Sequence, residues 1–246
     1  MSAQKVTALV LTHAPYRETS CILRLFTPAH GLVHAIAKGV RKDSKSVPID
    51  RGFLLEALLY YRPNRELHTL GSLQITDFFS DLRTNIVKSA LRDIALELYL
   101  KSITQSEPHP ELFELIVSFM KSLESAKREI VFPLLWHFIN RYCFLAGFGI
   151  DIEECQSCGS DVMKDGGVLD IAAGALICKK CAPVRSHTQA GLDASIIGHL
   201  EEINIDESVK LQKSEYLRIT ELLLSYCRHH FDIRGTFNSL EFIKSL

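Results

Sequence analysis

Along the first eighty residues, apolar and polar positions follow the short period of strands. KVTALVLTHA is rich in β-branched residues. TSCILRLFTPAHGLVHAIAKGV holds two such runs, broken at the turn cluster Pro28-Ala29-His30-Gly31. In the first of them Cys21, Leu23 and Leu25 share one face, opposite Ile22, Arg24 and Phe26. GFLLEALLYYRPNRELHTLGSLQITDFF holds two more runs, broken at Arg62-Pro63-Asn64-Arg65. Five strands with little helix predict a small antiparallel barrel. KGVRKDSKSVPIDRG, between the third and fourth runs, is polar and charged and reads as a loop.

After Phe79 the period lengthens to that of a helix. Val87, Ala90, Leu91, Ile94, Leu98 and Tyr99 form one stripe between Ile86 and Ile103. A second helix starts near Pro110, where a helix N-terminus tolerates proline. EIVFPLLWHFINRYCFLAGFG is apolar on most sides and predicts a buried helix, with Pro133 in its first turn and Gly147 or Gly149 at its end. GLDASIIGHLEEIN and SEYLRITELLLSYCRHHF predict two more. The fold class is therefore α+β with more than one domain. A five-stranded barrel over residues 1–80 precedes an all-α domain over 81–246, into which a metal-binding segment is inserted at about 150–190.

That segment is CQSCGSDVMKDGGVLDIAAGALICKKC. Two Cys-x-x-Cys pairs, Cys155/Cys158 and Cys178/Cys181, stand 19 residues apart. This is zinc-ribbon spacing, because each short turn presents two sulfurs to one ion. Four thiolates around Zn²⁺ fill its tetrahedron and leave no place for a reacting water, so a structural role is expected. Between the pairs lie one lysine and three aspartates, which do not make a basic reading head. Lys179 and Lys180 offset the net negative charge of a four-thiolate site. A redox pair would need only one such motif. Cys21, Cys143 and Cys227 stand singly in apolar surroundings and are expected to be buried.

The chain of 246 residues carries a formal charge of −1, so no global field attracts nucleic acid. The distribution is uneven. Residues 1–80 hold ten Lys/Arg against six Asp/Glu, a net of +4, which leaves about −5 for the rest. Lys38, Arg41, Lys42 and Lys45 cluster at the end of the third strand and in the loop after it. Arg51 lies just beyond, Arg17 and Arg24 lie on or beside the second strand, and Arg62 and Arg65 lie in the last turn. A basic edge and loop on a small barrel suit a phosphate backbone, although surface loops are often lysine-rich for solubility alone. Tyr16, Phe26, Tyr60 and Tyr61 are the aromatic residues available for base stacking, and each suits a core equally well.

No catalytic constellation is visible. Glu153-Glu154 and Glu201-Glu202 are adjacent pairs that do not share a helix face. The histidines form no metalloprotease pattern, and there is no phosphate-cradling glycine loop and no nucleophile elbow. No apolar run approaches the roughly 20 residues needed to span a membrane, and the N-terminus lacks a signal-peptide core, so a cytoplasmic protein is expected.

Three elements in order carry a specific resemblance: Tyr16-Arg17-Glu18-Thr19-Ser20, Thr27-Pro28-Ala29-His30-Gly31 and Ala37-Lys38-Gly39-Val40-Arg41. Together with FINRYCFLAGFGIDIEECQSCG they resemble the bacterial recombination mediator family RecO over nearly the whole chain. The resemblance implies an N-terminal OB-fold, a helical C-terminal domain and a zinc site. It implies binding of single- and double-stranded DNA, annealing of complementary strands, and a nucleoid-associated location; with no nucleotide motif visible, ATP is not expected to be needed. It also implies two partners, RecR and the acidic C-terminal tail of the single-strand-binding protein. Two departures from the family pattern are the acids within KDSKSVPIDRG and the His230-Phe231-Asp232-Ile233-Arg234-Gly235 stretch. The competing reading is a protein–protein adaptor whose barrel holds a partner, which the salt dependence of oligonucleotide binding would distinguish.

Overall fold

The computed structural model describes residues 3–40, 49–103, 107–182, 189–202 and 211–246. The chain forms two compact units, Met1–Glu124 and Ser125–Leu246.

In the first unit, β1 (Ala3–Tyr16), β2 (Ser20–Thr27), β3 (Gly31–Ala37), β4 (Leu54–Tyr60) and β5 (Leu67–Asp77) close into a barrel in the order β1-β2-β3-β5-β4. All five runs and both turn clusters stand where the sequence places them. One long strand serves two neighbours: β1 pairs antiparallel with β4 through its first half and with β2 through its second. The register shifts between Val10 and Thr12, a bulge that turns the strand from one partner to the other. Closure is made by a parallel seam of β3 and β5, with His34 opposite Leu67 and Ala37 opposite Leu70. This is the five-stranded OB-type barrel.

Val10, Leu23, Leu25, Val33, Ala35, Leu55 and Leu59 fill the interior. Phe26 points the other way, as the alternation requires, yet it is fully buried. Its ring meets Tyr99 edge-on at 5.1 Å and Phe113 at 6.1 Å. Tyr99 belongs to α2 (Ile86–Ser102) and Phe113 to α3 (Pro110–Ser125), so these helices cover that side of the barrel. The Tyr99 hydroxyl donates to the Leu112 carbonyl at 2.7 Å, locking the two helices together. The short α1 (Asp81–Thr84) is capped from a distance. The Glu124 carboxylate accepts from the Asp81 N–H at 3.0 Å, the Leu82 N–H at 3.1 Å and the Ser80 hydroxyl at 3.3 Å.

The second unit is built on α4 (Val131–Leu145), with Pro133 in its first turn and Trp136 fully buried. Trp136 Nε1 donates to Thr220 Oγ1 at 3.0 Å, joining α4 to α7 (Lys213–His230). Cys143 of α4 and Cys227 of α7 lie 3.6 Å apart, sulfur to sulfur, in the same core, and Cys21 is buried in the barrel. α6 (Ala194–Glu201) is one of the expected helices; the C-terminal α8 (Asn238–Ser245) is a helix that the apolar pattern does not announce. The metal-binding segment carries α5 (Val162–Asp165) and a small antiparallel sheet. In it β6 (Gly167–Asp170) lies between β7 (Ala175–Cys178) and β8 (Gln189–Leu192). This half is therefore helical without being purely so. Four-residue strands are too short to show a period. Among the described residues, no helix is long and apolar enough to cross a membrane.

Candidate nucleic-acid interface and metal centre

The turn between β1 and β2 is three residues long, since Tyr16 pairs directly with Ser20. Arg17 opens it at φ +53°, a left-handed conformation that costs a non-glycine residue about 1 kcal/mol or more. The strained turn brings the Arg17 guanidinium to 5.3 Å from the centre of the Tyr16 ring. Beside it lies a groove of about 1180 Å³, lined by Arg17 and Glu18 of the turn, Ile36 and Lys38 at the end of β3, and Thr69 of β5. Lys38 is exposed and has no ionic partner among the described residues. The first and third elements of the family resemblance, 21 positions apart at Arg17 and Lys38, thus meet at one groove.

The other basic candidates are placed differently. Arg41, Lys42 and Lys45 lie outside the described residues; they follow Gly39, which lines the groove. Arg24 is half-buried on β2, and its Nε donates to His34 Nε2 at 3.0 Å. Arg51 is held by the α2 carboxylate Asp93, Nη2 to Oδ2 at 2.8 Å, and Asp93 also takes Arg92 at 2.7 Å. His34 faces Arg24 across the β2–β3 hairpin, whereas Asp93 lies far along the chain from Arg51, so no local signal announces that second bond. Of the stacking candidates, Phe26 is core, and Tyr16 lies at the mouth of the groove. Thr69, which no sequence motif marks, reaches the site through the parallel β3–β5 seam.

The four cysteines come together as their spacing predicts, with all four sulfurs within 4.8 Å of one another. Two knuckles produce this. In the first, the Gly159 N–H bonds the Cys155 carbonyl at 2.8 Å, and Gly159 takes φ +69° to leave the turn. In the second, the Cys181 N–H bonds the Cys178 carbonyl at 3.0 Å. The Cys178 N–H donates to Cys155 Sγ at 3.2 Å, joining the knuckles at the end of β7.

The donor set fits a cation. Hydrogen bonds, first from the Ser160 hydroxyl, hold the Cys178 thiol down at about 6. The neighbouring Cys158 and Cys178 sulfurs push Cys181 up to about 12. Four sulfurs this close repel one another as thiolates, and a bound cation removes the conflict. Lys179 and Lys180 are exposed beside them.

The family model described as recombination protein O, N terminal, matches residues 1–79, and the one described as recombination protein O, C terminal, matches residues 83–237. The chain belongs to the RecO family. It is 26% identical to the DNA repair protein RecO of Prosthecochloris aestuarii over 93% of this chain and 92% of that protein. The protein of the same description from Alkaliphilus metalliredigens is 25% identical over 98% of this chain and 99% of its own length. That from Anaeromyxobacter dehalogenans is 28% identical over 74% and 72%. Membership places the chain among the factors of DNA repair and recombination, and the closed barrel, the helical second half and the four-cysteine cluster are the parts that the resemblance implies.

Proposed function

We propose that the protein is a non-enzymatic recombination mediator that binds single- and double-stranded DNA through its barrel and anneals complementary strands. The observation that carries this reading is the groove that brings Arg17 and Lys38 together. Cations on one barrel end neutralise phosphates of two strands at once, which lowers their repulsion and lets bases pair. No nucleotide hydrolysis is required.

One Zn²⁺ held by Cys155, Cys158, Cys178 and Cys181 would tie the loops flanking β6 and β7 and serve as scaffold. Partners of the RecR type and the acidic tail of the single-strand-binding protein would engage the protein as well. An acidic tail with an apolar end needs a cation beside an apolar surface. In the second unit Phe144 is 60% exposed, with the Arg141 guanidinium 4.9 Å from its ring centre, which supports that unit as the place.

The test is a fluorescence titration of an oligonucleotide at several salt concentrations. Each phosphate that is no longer neutralised lowers the magnitude of the log–log salt slope by about 0.7 for single strands and about 0.9 for duplex. Replacing Arg17 and Lys38 together by glutamine is expected to lower it accordingly. An unchanged slope and affinity would remove DNA from this groove.

A further inference from the structure

A second groove, of about 410 Å³, opens on the barrel between β3 and the β4–β5 turn. It is lined by His34 of β3, Tyr61, Arg65 and Glu66 of the turn, and His68 of β5. A smaller depression links the two grooves: it shares Thr69 with the first and Arg65 and His68 with the second. From His34 to Lys38 the path along β3 is about 13 Å at roughly 3.3 Å per residue.

Two features define the chemistry. The Tyr61 ring lies between two imidazoles, 4.2 Å from His30 at 19° and 4.6 Å from His68 at 21°. Both its faces are therefore occupied, so it fixes the histidines and offers no platform to an incoming base. Hydrogen bonds then fix the protons. Arg24 Nε donates to His34 Nε2 at 3.0 Å, and the Arg62 backbone N–H donates to His68 Nδ1 at 3.2 Å. An accepting ring nitrogen carries no proton. Each ring keeps its proton on the other nitrogen, Nδ1 of His34 and Nε2 of His68, as a neutral donor. Burial lowers the pKa of both, and the Arg24 charge adds to this at His34 while Glu66 opposes it; His30 and His34 add to it at His68. His30 itself is bonded to Gln4 through Nε2 at 2.7 Å. Arg65 is exposed, and its guanidinium has no partner among the described residues.

We propose that this groove holds a backbone phosphate of a single-stranded nucleic acid, with Arg65 supplying the charge and the neutral N–H groups of His34 and His68 supplying the remaining donors. The inference rests on the reading of the barrel as a DNA-binding element. It favours single strands because a flexible backbone can follow the linked depressions over the roughly 13 Å between the two grooves. Duplex DNA is stiff over roughly 150 base pairs.

The experiment titrates a fluorescent thymidine oligomer, and separately a duplex, into the full chain at several salt concentrations, for wild type and the variants Arg65→Gln, Arg65→Lys, His34→Gln and Lys38→Gln. Circular dichroism confirms that each is folded. Arg65→Gln is expected to lower the single-strand salt slope by about 0.7 while Arg65→Lys keeps it. His34→Gln is expected to weaken single-strand binding about 2- to 12-fold with the slope unchanged, because it removes a neutral donor. A smaller slope in His34→Gln would show a charged imidazole and overturn the assignment. Equal losses for duplex and single strand in Arg65→Gln would overturn the strand selection. Wild-type binding by both Arg65→Gln and His34→Gln, with Lys38→Gln weakened, would remove this groove and leave the barrel reading standing. No binding by wild type would overturn both.

Discussion

Thr220→Val probes the core of the second unit with a probe already in place. The chain has a single tryptophan, Trp136, and its indole N–H donates to Thr220 Oγ1 at 3.0 Å with both residues fully buried. Valine has threonine's shape without its oxygen, so packing is retained and the indole N–H loses its acceptor. The Thr220 hydroxyl also donates to the Tyr216 carbonyl at 2.8 Å, but that carbonyl keeps its helical N–H partner. A buried donor left unpaired costs about 1–3 kcal/mol. The methyl that replaces the hydroxyl offsets less than about 1 kcal/mol of this. For a unit the size of Ser125–Leu246, 1 kcal/mol moves Tm by roughly 3–4 °C. Tm should fall, by up to about 10 °C, when unfolding is followed by tryptophan fluorescence. Thr220→Ser, which keeps the acceptor and loses a methyl, should give the wild-type emission maximum in the folded state. Should Thr220→Val melt at or above wild type, the bond is not holding α4 to α7.

Three further outcomes are expected. Cys158→Ser should reduce bound zinc from one per chain towards zero by elemental analysis and expose residues 150–192 to protease; full zinc retention would mean that the four sulfurs do not act as one site. Glu124→Ala removes the acceptor from the α1 N-terminus and should cost about 1 kcal/mol in chemical denaturation, with no loss in Glu124→Gln beyond half of that. Burial lowers the pKa of His30, His34 and His68 below 6.5 in the folded barrel, so the unfolded chain takes up protons first as pH falls. Their contribution is complete above about pH 6.5 and is lost progressively below it. Denaturation monitored by circular dichroism at about pH 7.5, 6.5 and 5.5 should show this fall, and H30Q/H34Q/H68Q should flatten it.

The barrel was legible because its strands obey a local rule. Cys21, Leu23 and Leu25 point inward, as their alternation requires. Phe26 shows where that rule stops: its face is read correctly, but its burial depends on Tyr99 and Phe113, more than seventy positions away. The knuckles were legible because two cysteines three apart need only one turn to converge. The sheet around them was not, since β6, β7 and β8 are four residues each. Arg24 and Arg51 carry the charge that the sequence suggested; the bond of Arg24 to His34 follows from the register of the β2–β3 hairpin, whereas that of Arg51 to Asp93 arises only when distant elements meet. The groove of His34, Tyr61 and His68 stayed hidden because parallel pairing of β3 with β5 leaves no mark in either segment.

The order of strands in the barrel sets a timetable for its birth. β1 cannot complete its pairing until β4 exists, and the seam closes only with β5, which ends at Asp77. At roughly 5–20 residues per second, synthesis of that stretch takes about 4–15 s, to which the passage out of the ribosome adds. Throughout that interval β1 is a long, apolar ribbon with an open side, the form in which nascent strands most readily find a wrong partner. Once β5 is in place, its parallel pairing with β3 from His34/Leu67 to Ala37/Leu70 closes the ring of strands. The dangerous period therefore ends with the arrival of one late strand, and a chaperone that shields the first sixty residues would matter most to the yield of this protein.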